Sequence, residues 1–407
     1  MPISSCYPRR SSALRAGLPI VLSVVVLLLA SCGETYRPIA IPIPEPGGDP
    51  KNPHYAVVLS TGEAPGPAGT AVIDVAGETD ISNRTAGTNP VHASLPSANG
   101  RAWVVNNGDD SVTSFFPGTL AVNDVSVNLE AGSRPTYVDA TSTFVFVNEP
   151  PLNRVAIVNA NLSVATAFVG VGNNPVALAA RPDGRKCYVA NKNDGTVSVI
   201  SSTDLAVTGT IPVGASPVAM EMQTAGSFVY VASQSGNTLS VIDTTLDVEV
   251  QRVPGLSAPF QVIWDNNLQR VYVLNGGNNT VSIFNAATPS NLTLLRTVPL
   301  SGNALAFAVL DNASKFYVLY GGSPGTVDVF DAKSFALRTT VTVQNDPQWI
   351  AASPGAEKVF VVNRLGSGGN PATDPLAKGS ISIIKTQSDT VLNIPPAQPH
   401  PVYVAVQ

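Results

Sequence analysis

Histidine and charged residues are scarce in this chain. Its 407 residues include three histidines, His54, His92 and His400, and 13% of the residues are charged, with a net charge of −5. Three histidines so far apart in sequence do not predict a metal centre, and we expect no metal and no cofactor. Because Lys and Arg form no cluster, the acidic chain is also not expected to bind nucleic acid.

The motifs that mark common catalytic sites are missing as well. The sequence has no His-Glu-x-x-His zinc motif, no Cys-x-x-Cys-His haem-attachment motif and no phosphate-binding glycine-rich loop. We therefore favour a binding or scaffold module over an enzyme. A catalytic site that folding assembles from distant residues stays open as the alternative.

A long hydrophobic run lies at the N-terminus. Residues 16–30 are apolar and uncharged, and they follow Arg9, Arg10 and Arg15, which is the layout of a secretory signal. The run is shorter than the roughly 18–20 apolar residues that cross a bilayer as a helix, so a retained transmembrane helix is the weaker interpretation. We predict a signal peptide over residues 1–31.

The end of this run resembles the bacterial lipobox. In that motif, which Leu29-Ala-Ser-Cys32 resembles, the cysteine is lipidated and the signal is cut before it. The resemblance implies that Cys32 begins a mature lipoprotein and that Gly33, in place of Asp, directs it to the outer membrane. The alternative is an ordinary cysteine near a standard cleavage site. We expect a cell-envelope protein, periplasmic or surface-exposed, attached to the membrane through the lipid on Cys32.

A proline-rich segment follows. Residues 33–53 contain six prolines, a composition that favours an extended polyproline-like tether: Pro38, Pro42, Pro44, Pro46, Pro50 and Pro53. With Cys6 removed and Cys32 lipidated, Cys187 is the one cysteine left for the body, so we expect a buried thiol and no intrachain disulfide. We divide the chain into signal peptide 1–31, lipidated tether 32–53 and body 54–407, which we expect to be a monomer.

The body repeats with a period of roughly 40–54 residues. Each repeat has a proline-led strand, an aromatic and β-branched strand, a strand alternating at period two and a more polar strand. Turn residues such as Asp194-Gly195 join the second and third strands as a hairpin. The first strands begin at Pro90, Pro135, Pro175, Pro217, Pro259, Ala304 in place of proline, Pro347 and Pro401. Eight copies of four strands predict an all-β fold, a single closed β-propeller of eight blades.

Three repeats share a tetrapeptide. Tyr188-Val-Ala-Asn191, Tyr230-Val-Ala-Ser233 and Tyr272-Val-Leu-Asn275 resemble the tetrapeptide that names the YVTN-repeat β-propeller family. The resemblance spans about residues 54–407 and implies the propeller fold. It leaves function open, since this family's propellers include surface proteins, lactonase-like enzymes and relatives of quinoprotein dehydrogenases. Seven blades, the commonest number in the family, is the alternative to the eight counted here.

The two ends of the body predict how the ring closes. The chain enters at His54 with a strand of the second type and finishes with a proline-led strand over residues 401–406. Together these strands complete one blade, so that the termini share it and no open sheet edge remains. The alternative is that residues 400–407 form a loose tail.

The proline-led strands border the central channel and therefore supply the candidate ligand site. Two residues after the proline position, the side chains form a mixed ring of His92, Tyr137, Ala177, Ala219, Gln261, Ala306, Trp349 and Tyr403. Four residues after it they are Ser94, Asp139, Ala179, Glu221, Ile263, Ala308, Ala351 and Ala405. We predict as ligand-binding residues His92, Tyr137, Asp139, Glu221, Gln261, Trp349 and Tyr403. The alternative is that large side chains merely fill the axis of a wide ring.

Two long loops, 61–69 and 364–379, favour one end of the channel. Both join a second strand to a third, so we expect them to overhang the end where the proline-led strands begin. We predict that an unknown protein, glycan or small ligand binds there, at the face distal to the membrane. The second hypothesis is a lactonase-like or lyase-like hydrolytic propeller with its active site at the channel mouth. That hypothesis requires a Lys or Arg beside the histidine and the carboxylates, and the two rings contain no Lys and no Arg.

Overall fold

Eight four-stranded antiparallel sheets surround a central channel in the computed structural model, which describes residues 54–61, 68–96, 100–118, 124–366, 379–394 and 400–406. The innermost strands of neighbouring sheets contact each other in succession all the way round the ring. The predicted eight-bladed β-propeller is therefore confirmed, and the seven-bladed alternative is wrong. Within these described ranges, no helix is long and apolar enough to cross a membrane.

Strands are numbered in chain order, and each blade is described from the channel outwards. The chain first forms the outer three strands of blade 8, β1 (Tyr55–Ser60), β2 (Gly69–Asp74) and β3 (Thr79–Thr85). Blade 1 consists of β4 (Pro90–Ser94), β5 (Ala102–Asn106), β6 (Ser111–Phe115) and β7 (Val125–Asn128). Blade 2 consists of β8 (Val138–Ala140), β9 (Phe144–Glu149), β10 (Arg154–Asn159) and β11 (Val164–Gly170). Blade 3 consists of β12 (Pro175–Ala180), β13 (Lys186–Asn191), β14 (Thr196–Ser201) and β15 (Ala206–Pro212).

The remaining blades follow the same order. Blade 4 consists of β16 (Pro217–Met222), β17 (Phe228–Ser233), β18 (Thr238–Asp243) and β19 (Val248–Val253). Blade 5 consists of β20 (Pro259–Asp265), β21 (Arg270–Asn275), β22 (Thr280–Asn285) and β23 (Thr293–Pro299). Blade 6 consists of β24 (Ala304–Val309), β25 (Lys315–Tyr320), β26 (Thr326–Asp331) and β27 (Leu337–Thr342). Blade 7 consists of β28 (Pro347–Ala352), β29 (Lys358–Asn363), β30 (Ser380–Lys385) and β31 (Thr390–Ile394), and β32 (Pro401–Val406) completes blade 8. Short 3-10 turns lie at Pro150–Leu152, Pro289–Asn291 and Pro354–Ala356.

Blade 8 joins the two ends of the body. β32 pairs antiparallel with β1, from Ala56 opposite Val406 to Ser60 opposite Pro401. One residue beyond the strand, the Thr61 N–H donates to the His400 carbonyl oxygen at 3.2 Å. The predicted shared blade is therefore confirmed, and residues 400–406 are not a loose tail.

The inner strands share one local geometry at their start. The residue before the proline has a positive φ in seven blades, for example 58° at Asn174, 52° at Asp346 and 59° at His400. The strand then bulges, since Pro217 lies opposite Ser233 whereas Ala219 already lies opposite Ala232. The bulge takes one residue out of register. Side chains two and four residues after the proline therefore share a face, and the one between them packs into the core between blades.

A buried asparagine closes the hairpin between the second and third strands in four blades. Asn191 Nδ2 donates to Thr196 Oγ1 at 3.0 Å and to Ser198 Oγ at 2.9 Å. Asn106, Asn275 and Asn363 make the same pair of bonds to hydroxyl groups of their own third strands. In these four blades the asparagine that ends the second strand therefore links it to the third strand through two side-chain hydrogen bonds.

We expect Asn191→Ala to lower the free energy of unfolding by about 1–3 kcal/mol, because it leaves the buried hydroxyl of Ser198 and the half-buried hydroxyl of Thr196 without their donor. Chemical denaturation of the purified protein measures this loss. Asn193→Ala is the control, since Asn193 is an exposed asparagine in the same turn and its loss should cost less than about 0.5 kcal/mol. Equal effects of the two substitutions would contradict the structural role of Asn191.

Lysines at the start of the second strand tie neighbouring blades together. Lys186 Nζ, on blade 3, donates to the Thr244 carbonyl oxygen at 3.1 Å and pairs with Asp247 at 2.6 Å on blade 4. Lys315 on blade 6 and Lys358 on blade 7 contact the corresponding loop of the next blade in the same way. Each lysine thus donates to a loop carbonyl oxygen and pairs with a carboxylate of the next blade, which compensates the partly buried charges at the blade interface.

Candidate functional site

A cavity of about 540 Å³ lies in the channel between the inner strands of six blades. Four of the six blades contribute residues from two layers of their inner strands, one layer two positions and the other four positions after the proline, and blades 3 and 4 contribute from the second layer. The side chains that define it are His92, Ser94, Tyr137, Asp139, Ala179, Glu221, Trp349, Ala351, Tyr403 and Ala405. Its volume is within the range of about 300–1,000 Å³ that is typical of small-molecule sites.

The first layer is an arc of one imidazole and three aromatic rings in contact with one another. The His92 and Tyr137 ring centroids are 3.9 Å apart with 24° between the planes. Tyr403 follows at 4.8 Å from His92, and Trp349 follows at 5.2 Å from Tyr403. The predicted sector of four aromatic or imidazole side chains is thus a continuous arc, which forms one end wall of the cavity.

The second layer combines polar groups with small residues. Ser94, Asp139 and Glu221 line the cavity at this level, and alanine occupies the same position in blades 3, 7 and 8. An alanine side chain is too short to reach the channel axis. The three alanines therefore leave the space that makes the cavity, and the two carboxyl groups stand beside it.

The polar side chains of both layers also hold neighbouring blades together. The Val138 N–H donates to His92 Nδ1 at 3.4 Å, and the Ala140 N–H donates to Ser94 Oγ at 3.1 Å. The Ala180 N–H donates to Asp139 Oδ2 at 2.7 Å. In each case the side chain of one blade accepts from the inner strand of the next blade, which satisfies an otherwise unpaired backbone donor.

The hydrogen bonds of His92 select one form of its ring. Burial lowers the pKa of His92 to about 3, so the ring is neutral at physiological pH. Since Nδ1 accepts from Val138, the proton is on Nε2, which lies 3.1 Å from the Tyr403 hydroxyl oxygen. His92 therefore donates to Tyr403, and the Tyr403 hydroxyl proton is free to be donated to another acceptor.

The two carboxyl groups hold their protons more tightly than exposed ones. Burial raises the pKa of Asp139 to about 6, although backbone hydrogen bonds from Ala180 and Ala140 lower it in part. Burial, and after it the negative charge of Asp139, raises the pKa of Glu221 to about 8. At neutral pH the site therefore holds one ionised carboxylate and one protonated carboxyl group.

These pKa values predict how stability depends on pH. Unfolded Asp and Glu have pKa values near 3.9 and 4.3, so between about pH 4 and pH 8 the folded state holds protons that the unfolded state has lost. Stability should fall as the pH rises through this window. We expect Glu221→Gln to be more stable than the wild type at pH 8, by roughly 1–3 kcal/mol, and equally stable near pH 4.5. Thermal melting between pH 4.5 and 9 tests this, and a Gln variant that melts lower at pH 8 would contradict it.

The other predicted ligand residues lie in different surroundings. Gln261 does not line the cavity. Its side-chain amide makes two bonds to the backbone of Phe307 on the next blade, at 3.0 and 3.1 Å, which is the interblade role described for Asp139. Cys32, the tether and the loop residues 62–67 and 367–378 lie outside the described residues. Cys187 is buried, as predicted from its strand.

The position of the cavity along the channel differs from the predicted one. Its lining begins at the aromatic layer and continues past the ends of the inner strands to Leu95, Pro182 and Gln223. The cavity is therefore nearer the channel end where the inner strands finish. That end is also where β1 begins, because Ala56 pairs with Val406. The loops 61–69 and 364–379 join strands at the opposite end.

Sequence reasoning missed the residues that create the space. Ala179, Ala351 and Ala405 were aligned with the carboxyl residues but were not taken as part of a site. Met220 and Met222 also line the cavity. The signal that could have found two of the alanines is positional, since Ala351 and Ala405 follow the bulky Trp349 and Tyr403 by two residues in the same inner strands.

The comparisons with known proteins support the propeller fold. Residues 260–400 match the family model of the Choice-of-anchor I domain, and no curated protein matches the chain. Dihydro-heme d1 dehydrogenase NirN, solved in complex with DHE, is 11% identical and aligns over 89% of this chain and 76% of its own, with a TM-score of 0.69. AztD of Citrobacter koseri, in its apo form, is 13% identical over 87% of this chain and 98% of its own, with a TM-score of 0.64. Hydrazine synthase of Kuenenia stuttgartiensis is 17% identical over 76% and 96%, with a TM-score of 0.54. At these identities the likeness to solved structures extends to the fold alone.

Proposed function

We propose that this protein is an envelope lipoprotein whose propeller binds a small ligand in the channel cavity, as a non-catalytic binding module. The observation that carries the proposal is the cavity itself, which combines an aromatic end wall with two carboxyl groups and a gap left by three alanines. Side chains that only filled the axis would leave no such space. A hydrolytic site would call for a Lys or Arg near His92, and none lines the cavity within the described ranges.

The proposal places the ligand at the end of the channel from which the tether leaves. The lipid on Cys32 and the tether 33–53 would hold the body at the membrane, with the cavity end next to the attachment point at His54. This differs from the distal face expected from the two long loops. The change rests on the position of the cavity lining along the inner strands.

Cavity-filling substitutions test the binding function. We expect a small-molecule extract of the cell envelope to raise the melting temperature of the wild type, because a ligand that binds only the folded state stabilises it. Ala351→Leu/Ala405→Leu should melt normally but show no shift. Ala206→Leu, which changes an exposed alanine on the outer strand β15, should respond like the wild type. Equal shifts for all three proteins would contradict binding in this cavity.

A separate substitution tests the anchor. Cys32→Ala removes the thiol that the lipid would occupy, so we expect the variant to be either uncleaved or released in soluble form. Cell fractionation and intact mass of the mature protein measure both outcomes. A correctly cleaved, unlipidated variant that stays in the membrane fraction would overturn the proposed anchoring and leave the cavity proposal unaffected.

A further inference from the structure

The geometry points to an organic cation as the ligand class of the cavity, an ammonium group held between the aromatic arc and the two carboxyl groups. This inference rests on the proposed binding function and adds the chemistry of the ligand. Such a group can come from a free amine or quaternary ammonium compound, or from the headgroup of a lipid. The test below separates these sources.

The aromatic rings that line the cavity are the first feature that favours a cation. Trp349, Tyr403 and Tyr137 line the same cavity, and the centroids of neighbouring rings in the arc are 3.9–5.2 Å apart. Aromatic faces carry negative electrostatic potential and attract cations within about 6 Å of the ring centroid, with Trp the strongest. His92 does not oppose this attraction, because its low pKa leaves the ring without charge.

The carboxyl groups of Asp139 and Glu221 are the second feature that favours a cation. Asp139 and Glu221 line the cavity from blades 2 and 4, and between them blade 3 presents only Ala179 at the same level. Asp139 accepts from the backbone N–H groups of Ala180 and Ala140, and Glu221 accepts from that of Trp264. Despite these donors, burial and the negative charge of Asp139 keep the Glu221 carboxyl group protonated at neutral pH. A cation placed between the two groups would favour ionisation of both.

The composition of the lining disfavours other ligand classes. An anion would require positive charge, and no Lys or Arg is found among the described lining residues. A metal ion would require several ligating groups close together, and the described part of the chain has no group of three or more His, Cys, Asp and Glu side chains that could hold one. A neutral apolar ligand would leave two buried carboxyl groups unused. An organic cation makes use of both walls.

Cation binding should be coupled to proton release. The ionisable groups that interact with Asp139 and Glu221 are Tyr137, Tyr403 and the thiol of Cys187, all of which remain protonated at neutral pH. A bound cation favours the ionised form of both carboxyl groups. Affinity should therefore increase as the pH rises from 5.5 to 9, and Glu221→Gln should remove the upper part of this increase.

The experiment compares choline with its uncharged isostere 3,3-dimethyl-1-butanol by titration calorimetry on the full mature protein. We expect choline to bind at least tenfold more tightly than the isostere. Asp139→Asn/Glu221→Gln should weaken choline binding at least tenfold and bring it level with the isostere. Trp349→Leu should weaken choline binding by a similar factor. The control Asp204→Asn/Glu357→Gln changes the net charge equally at exposed positions and should bind choline like the wild type.

Phosphatidylcholine vesicles form a second arm with the same variants. Binding of free choline supports a soluble ligand, and binding of vesicles alone supports a lipid headgroup, provided that either depends on Asp139, Glu221 and Trp349. Equal affinity for choline and the isostere, binding that survives the double substitution, or no binding in either arm would overturn the inference. If the envelope extract still stabilises the wild type but not Ala351→Leu/Ala405→Leu, the binding function stands and only the ligand class fails.

Discussion

Removing residues 401–407 should destroy the closed ring and leave a protein that aggregates. The deletion takes away β32, the inner strand of blade 8, and exposes the edge of β1 along its full length. It also removes Val404, which is 1% exposed, from the core shared with blade 7. Neighbouring strands β28 and β4 both lose their contact with β32. We expect a loss of more than about 5 kcal/mol, which is exceptional for a change at a chain end.

Denaturation and light scattering of the truncated protein measure this effect. A synthetic peptide covering residues 400–407 is the matched rescue, because it can restore the missing strand without a covalent link. Added peptide should suppress aggregation and raise the melting temperature in proportion to its concentration, whereas a peptide of the same composition in scrambled order should not. A truncated protein that melts like the full-length one would contradict the shared blade.

Lys315→Met should destabilise the protein by about 3–5 kcal/mol. The Lys315 side chain is 8% exposed and its Nζ lies 2.7 and 2.8 Å from the two carboxylate oxygens of Asp389 on the next blade. It also donates to the Thr386 carbonyl oxygen at 2.5 Å. Methionine keeps the length of the side chain but removes the charge. Among the described residues, the substitution therefore leaves the Tyr317 hydroxyl at 3.2 Å as the side-chain donor to Asp389, whose side chain is 14% exposed.

Two further variants isolate the ion pair. Lys333→Met removes an exposed lysine of the same blade and should change the unfolding free energy by less than about 0.5 kcal/mol. Lys315→Met/Asp389→Asn removes both charges and should recover a substantial part of the loss, because no buried charge then lacks a partner. If the double substitution is as damaging as the sum of the two single ones, the pair is not coupled and the interblade role is wrong.

The fold could be predicted because each blade repeats the same pattern of four strands. Every second strand ends at a comparable position, and the asparagine of Tyr188-Val-Ala-Asn191 signals a hairpin that the structure closes with Thr196 and Ser198. The ends of the body could be assigned by register alone, since Pro401 occupies the position of Pro175 in an intact blade. Eight copies together identify the strand pattern even where the sequence of a single strand is ambiguous.

The site could be predicted only in part, because it depends on differences between blades. Alternation after the proline placed the side chains of both rings on one face, and His92, Tyr137, Asp139, Glu221, Trp349 and Tyr403 do line one cavity. Gln261 has the same register, yet its amide is bound to the backbone of Phe307. Sequence spacing carries no information on whether a polar side chain turns to the channel or to the next blade.

Which end of the channel lies nearer the cavity could also not be predicted from the sequence. Loop length pointed to the start of the inner strands, whereas the space is created further along them. Ala351 and Ala405 leave the gap after the bulky layer of Trp349 and Tyr403. Whether a layer of side chains leaves a cavity depends on how the side chains of all the blades pack around the channel. Aligning the inner strands by sequence does not show this packing.

Native mass spectrometry of the mature protein, purified from its own envelope in mild detergent, tests the central proposal most directly. We expect the wild type and Ala206→Leu to carry a small molecule that is released on denaturation. Ala351→Leu/Ala405→Leu, with its cavity filled, should carry none. The same bound mass on the cavity-filled protein, or no bound molecule on any of the three, would contradict a ligand site in the channel.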